Sequence, residues 1–309
     1  MNIRNIKEKA KQLLLTCKPQ YIRILIIVML ITCLGEYLAN LNIPTLLVSL
    51  IAIIFLPISH GYIVSALKIV RNTSHTLSDE DALVGYKRFK ELFPTYVLSF
   101  LAQFGILFLI VVVLSIIFSM VLGSVVLSID NMSQFVSEDP ATMLLSLFTF
   151  APELMLVFLL IAVFAGASFY YISLLFFAVP YLLERFHIKN GLAIKESFRF
   201  MKGHKMDLFK LDISFLGWAL LDGLIVYLLT RFVGSLPFVG YALVLLAGGF
   251  FRIYTYYPQY ELSRAILFEE IAYQRYGNNR SEGKEPVQEE VVEMTENTVE
   301  FNDENREDA

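Results

Sequence analysis

Six long apolar stretches, at roughly 21–39, 43–67, 94–122, 153–183, 208–230 and 236–257, divide the chain into hydrophobic blocks and polar connections. A hydrocarbon core of ~30 Å needs about 20 residues of helix, and each block is near that length or longer. The blocks are continuous rather than alternating. Lipid offers no partner to a backbone N–H or C=O, so the pattern predicts helices and not barrel strands. The expected fold class is all-α: a polytopic membrane protein with six transmembrane helices in three hairpins, occupying 1–277.

The connections alternate in charge. The leader carries Arg4, Lys7, Lys9, Lys11 and Lys18; segment 68–93 carries Lys68, Arg71, Lys87, Arg88 and Lys90; segment 184–207 carries Arg185, Lys189, Lys195, Arg199, Lys202 and Lys205. Segments 40–42 and 123–152 carry none, and the connection after the fifth stretch has Arg231 alone. Lys and Arg are retained on the cytoplasmic side, so both termini are expected there.

Each basic connection also carries an amphipathic pattern. Ile3, Ile6, Ala10 and Leu13 oppose Arg4, Lys7 and Lys11; Ala82, Tyr86, Phe89 and Phe93 run beside Lys87, Arg88 and Lys90. Ile194, Phe198 and Met201 oppose Lys195, Arg199 and Lys202. Ser78 and Asp81 form a capping-box pattern before the second of these segments. Three short amphipathic cytoplasmic helices are therefore expected in the headgroup plane, drawn to anionic lipid. Enforcing topology suffices to explain them; a lipid-headgroup or partner site is the alternative.

The third stretch is over-long: residues 94–128 as one helix would reach ~50 Å. It either projects outward or ends near Gly123. The run Met143–Phe150 is too short to cross and is expected in an external element over 123–152. The leader lacks an A-x-A-like site after a short apolar core, so it does not read as a cleaved signal peptide.

Composition agrees with this picture. Of 309 residues, 56% are hydrophobic and 17% charged, with mean hydropathy +0.61. Soluble domains run near ~25% charged. The net charge of −4 averages two regions, because 278–309 holds Arg280, Lys284 and Arg306 against eleven acidic residues. That segment is expected to be a disordered acidic cytoplasmic tail. Cys17 and Cys33 fall at different depths and predict no disulfide.

The chain shows no zinc-binding His spacing, Walker loop, dinucleotide fingerprint or nucleophile elbow, so no metal, cofactor or catalytic residue is expected. Its basic residues are strung along one interface, which does not suit nucleic acid. The candidate chemistry is intramembrane charge, costly enough to need a reason. Asp212, counted from Leu208, matches the depth of Arg252 counted from Pro237, so an Asp212–Arg252 pair is expected to lock the last hairpin. Lys205 or Lys210 are the other partners open to Asp212. Ser214, Trp218 and Asp222 share an i, i+4 stripe expected to face the interior, where Asp222, without a base at its depth, could be a neutral hydrogen-bonded acid. His60 could bond Asp212. Convergence of His60, Asp212 and Glu184 would reopen an enzymatic reading.

Glu36 and Arg231 are expected in the outer interface. Ala162 with Gly166, and Gly240, Gly248 and Gly249, read as packing seams. Tyr254, Tyr256, Tyr257 and Tyr260 read as an interfacial belt.

The stretch Gly191–Trp218 contains Ala193-Ile194 with Ser197, then Met201 to Lys205, then Leu208, Phe209, Leu211, Asp212, Ser214, Phe215, Gly217 and Trp218. In this pattern the chain resembles the domain-of-unknown-function family 975, bacterial integral membrane proteins with no established reaction. More distantly it is similar to membrane domains attached to glycerophosphodiester phosphodiesterases, but no catalytic domain of that kind is present. The resemblance implies a six-span plan and supplies no catalytic residue. The expectation is a non-enzymatic envelope component that binds lipid or membrane protein partners. The alternative is a small transporter or lipid translocation factor using the intramembrane acids.

Overall fold

A computed structural model of the protein describes residues 2–39, 44, 47–48, 53–127, 152–233 and 239–277. Among these residues there are helices and turns and no strand. The long helices are α1 (Ile3–Ala39), α2 (His60–Val70), α3 (Phe89–Leu127), α4 (Pro152–Phe176) and α5 (Val179–Phe186). They continue with α6 (Asn190–Phe200), α7 (Lys205–Ile213), α8 (Leu216–Val233), α9 (Val239–Thr255) and α10 (Tyr257–Tyr276). Five segments are long and apolar enough to cross a membrane, or six if α9 and α10, bent by 59°, count as one broken span. The run Met143–Phe150, most of the 123–152 element and the 278–309 tail lie outside the described residues.

Several expected spans are interrupted, three of them beside a proline. The second stretch breaks into a 3₁₀ turn at Leu56–Ser59, where Pro57 withholds a backbone donor. The fourth ends at Phe176 and restarts as α5 with Pro180 in its first turn. The fifth is cut by turns at Ser214 and Phe215, and α9 gives way at Tyr256 to α10 with Pro258 in its first turn.

The described residues divide into two units, one from those within 1–97 and 177–277 and the other from those within 98–176. The first is built around α10, whose Leu262, Ala265, Ile266, Leu267, Phe268 and Ile271 are almost fully buried. Helix α1 lies along it. Ile6, Ala10, Tyr21, Ile24 and Leu25 on α1 are buried too, so the leader's apolar side faces protein. This corrects the expectation of a separate in-plane leader helix, because α1 runs unbroken from Ile3 through Pro19 to Ala39. The reason is that α10 supplies the apolar surface that lipid was expected to supply. Phe268 of α10 stacks on Phe200 of α6 at 4.8 Å and on Tyr181 of α5 at 5.0 Å, tying those helices to the same core.

The segment before α3 is compact. The Ser78–Asp81 capping box forms, with Ser78 N donating to the Asp81 carboxylate at 3.1 Å. It caps a 3₁₀ turn at Asp79–Leu83, and Ala82 is buried with Ile24, Val28 and Ile58. Tyr86 of the predicted apolar face is exposed.

The second unit comprises α3 from Leu98 onward and α4. Phe100, Phe104 and Phe108 stack one turn apart along α3, and Phe118 meets Phe158 of α4 edge-on at 6.4 Å. None of the most apolar stretch of α3 is buried. A Cβ at Gly105 or Gly166 would meet nothing within 4 Å. The Ala162–Gly166 seam is therefore open on this chain, whereas Gly248 and Gly249 of α9 pack closely on Val226 and Met29.

Candidate functional site

The charges expected within the membrane pair differently from the sequence expectation, and Asp212, on α7, falls outside the segments apolar enough to span. Arg252 Nε lies 2.9 Å from Asp222 Oδ2, while Asp212 Oδ1 accepts a hydrogen bond from the Tyr260 hydroxyl at 3.1 Å. The expected Asp212–Arg252 lock is thus replaced by Asp222–Arg252. The cause is the break at Ser214–Phe215, which invalidates a depth count made along one straight helix. From the true start of α8 at Leu216, Asp222 is ~9 Å in; from the end of α9 at Thr255, Arg252 is ~5 Å in. On antiparallel neighbours those positions meet. Asp222 is buried; Ser214 and Trp218, expected on the same inward stripe, are exposed. The Ser214 hydroxyl donates to its own Leu211 carbonyl at 2.7 Å, and Trp218 stacks on Tyr256 at 6.4 Å.

The break itself is held by its neighbours. Lys7 of α1 donates to the Ser214 carbonyl at 3.1 Å and lies 4.2 Å over the Phe215 ring. Gln259 donates to the Lys7 carbonyl at 3.0 Å, and Tyr260 meets Phe215 edge-on. A helix end leaves carbonyls without intrahelical partners, and an ammonium is a suitable donor to one of them. Lys7, expected to face lipid headgroups, is engaged here within the protein.

A second polar centre joins α2, α3 and α5. His60, fully buried, has Nε2 3.0 Å from Glu184 and Nδ1 2.9 Å from the Tyr96 hydroxyl. Arg88 binds the same Glu184 oxygen at 2.6 Å and Glu91 at 2.9 Å; Lys189 reaches Glu91 at 3.1 Å. With an ionised Glu184, His60 donates from Nε2 and can accept the Tyr96 proton at Nδ1, so every member is satisfied. Thr95 adds a bond from the Asn190 backbone N–H at 2.9 Å, seating the start of α6. His60 and Glu184 do converge, and Asp212 accepts a hydrogen bond from Tyr260.

On α10, Glu261 is buried beside the Tyr257 hydroxyl, with Arg264 at 4.0 Å. Burial pushes its carboxyl above the ordinary value; Arg264 and the Tyr257 bond oppose the rise. Arg264 lies over the rings of Phe177 at 4.9 Å and Tyr260 at 5.3 Å.

The remaining basic residues divide by occupancy. Lys87 pairs with Glu80, and Arg199 with Glu196 at 3.6 Å. Lys11, Lys195 and Lys202 are exposed, and among the described residues they have no ion pair or side-chain hydrogen bond. Also among the described residues, no three His, Cys, Asp or Glu side chains are grouped as metal ligands would be. Cys17 and Cys33 are both free thiols.

Glu184 is a sequence candidate beside His60, but the Tyr96, Glu91 and Lys189 roles were not legible from spacing, because their partners come from separate segments. The faint signal was Glu184-Arg185 directly after the fourth apolar stretch, where a charge must find a partner.

A family model described as "Protein of unknown function (DUF975)" matches residues 1–274. No curated protein and no solved structure matches the chain. The more distant link to glycerophosphodiester phosphodiesterase membrane domains is not shown by these comparisons.

Proposed function

The chain belongs to the DUF975 family, whose function is unknown, and on that premise we propose a role from its own residues. It is a non-enzymatic component of the bacterial plasma membrane that binds anionic lipid at the cytoplasmic face, with both termini on that side and six passages through the bilayer. The carrying observation is the division among its basic residues. Lys7, Lys87, Arg88 and Arg199 are engaged within the protein, while Lys11 on α1, Lys195 on α6 and Lys202 in the turn after α6 stand exposed; the other sides of α1 and α6 pack into the α10 core. Unpaired ammonium groups next to an anionic leaflet gain about 1 kcal/mol each.

The test is lipid retention. Wild type, purified in discs of mixed anionic and zwitterionic lipid, should hold anionic lipid above its bulk fraction. The triple variant Lys11→Glu, Lys195→Glu, Lys202→Glu should return to the bulk fraction. An unchanged ratio in the triple variant would dismiss the reading. A second reading, a transporter or lipid translocation factor, is favoured by one observation: the Asp222–Arg252 pair lies within an apolar hairpin, where charge is expensive.

A further inference from the structure

Arg252 does not behave as a snorkelling arginine. It sits three residues before the end of α9, and a long cation near a helix end ordinarily lowers its cost by reaching toward water. Here it turns the other way. Its Nη2 lies 3.9 Å from the position a Cβ would take on Gly248, one turn back into the hairpin, and Asp222 holds its Nε at 2.9 Å. The missing side chain at Gly248 leaves the room for this. On the same two helices Leu220, Leu221 and Leu224 of α8 and Phe250 of α9 are all exposed.

Of the five N–H donors of a guanidinium, only Nε–H has a partner among the described residues. The Arg252 side chain is nonetheless 48% exposed. An open set of charged donors, turned back toward Gly248 rather than out past the helix end, is not what topology alone requires. Asp222, 8% exposed, adds a carboxylate oxygen that is buried and has no donor. Beside them Trp218 is 46% exposed and stacks on Tyr256 with ring planes 14° apart; Tyr256 is within electrostatic reach of both Asp222 and Arg252.

We propose that Arg252, held over Gly248 by Asp222 and flanked by Trp218 and Tyr256, binds the phosphodiester of a membrane phospholipid. The free edge of the guanidinium suits two phosphate oxygens at once. The indole and phenol rings suit the glycerol and ester level, where amphipathic aromatics settle. The exposed leucines of α8 then line the acyl chains. This deepens the lipid-binding reading by giving it a defined site, and it does not depend on the exposed lysines.

Trp218 is the single tryptophan of the chain, so its fluorescence reports this place alone. The experiment compares quenching of Trp218 by a phospholipid and by a phosphate-free glycolipid with the same brominated chains, each at equal fraction in discs of unbrominated lipid. Wild type should favour the phospholipid about fivefold, the order expected of one bidentate charge-assisted pair. Arg252→Gln should abolish the preference. Arg252→Lys keeps the charge beside Asp222 and protects the fold, yet lacks the fork, and should lose most of it. No preference in wild type, or full preference in a folded Arg252→Lys, would overturn the proposal. Loss of the wild-type preference on adding inorganic phosphate would also overturn it, by assigning the site to a soluble anion. The triple lysine variant should leave this signal unchanged even where anionic lipid retention is lost.

Discussion

Gly85→Ala should be one of the most damaging small changes available to this chain. An added Cβ would lie 2.3 Å from the Pro57 carbonyl oxygen and 2.8 Å from Ile58 Cα. Ordinary van der Waals contact begins near 3.4 Å, so something must move by about 1 Å. The obstacle is backbone. Pro57 fixes its own φ, and Ile58 is 1% exposed in a cluster with Ile24, Val28 and Ala82, so the turn cannot yield without opening that cluster. Overpacking of this kind costs about 1–3 kcal/mol, and a rigid obstacle places it at the upper end. Two controls isolate the cause. At Gly249 the added Cβ meets Met29 Sδ at 2.7 Å, the flexible end of an adaptable side chain, so Gly249→Ala should cost about 1 kcal/mol. At Gly105, inside α3, nothing lies within 4 Å, so alanine adds no clash and should gain up to about 1 kcal/mol of helix propensity. Cys17 is buried, so a fluorogenic maleimide reads unfolding on heating. Gly85→Ala should melt roughly 5–10 °C lower, Gly249→Ala a few degrees lower, and Gly105→Ala no lower than wild type. A wild-type melting point for Gly85→Ala would refute the seating of this segment on the 3₁₀ turn.

Other outcomes follow from the polar centres. His60→Phe keeps volume but strands the Tyr96 hydroxyl and one Glu184 bond, and should cost about 1–3 kcal/mol in the same melt; a double cycle with Tyr96→Phe should show coupling rather than additivity. Asp222→Asn leaves Arg252 without its counter-charge and should lower accumulated protein more than Asp212→Asn, whose amide oxygen can still accept from Tyr260; equal levels would argue against the observed pairing. Burial raises the Glu261 carboxyl above its ordinary 4.5, so its contribution is fully present below pH 4.5 and is lost as pH rises through the folded value. Glu261→Gln should therefore melt higher than wild type at neutral pH and converge with it in acid. Melting curves that stay parallel across that range would contradict this.

The apolar blocks and the all-helical class were legible in the sequence because length and continuity of hydrophobicity need no partner to be read. The Ser78–Asp81 cap was legible for a similar reason: both groups lie within one turn. The pairing of Asp222 with Arg252 was not, since it depends on a break at Ser214–Phe215 that no proline or glycine announces. Helix α10 was overlooked between a tyrosine-rich exit and an acidic tail. Its buried Leu262, Ala265, Ile266 and Phe268 are surrounded by Glu261, Arg264, Glu269 and Glu270, which dilute the apolar signal. Missing it made the leader's apolar face look destined for lipid.

The position of α10 also orders how the molecule can be made. Gln259 meets the Lys7 carbonyl across 252 residues, and Ile6 and Ala10 need α10 as their cover. During synthesis α1 emerges before the other described helices and its covering helix, α10, after them. Until then the apolar side of α1 stays unsheltered by its eventual neighbour, a state prone to aggregation or to chaperone capture. Closure of this core is thus a late, long-range event, with the slow kinetics that distant contacts impose. A chain stopped before Tyr257 would hold all its hydrophobic stretches and still present an unfinished end to the quality-control proteases.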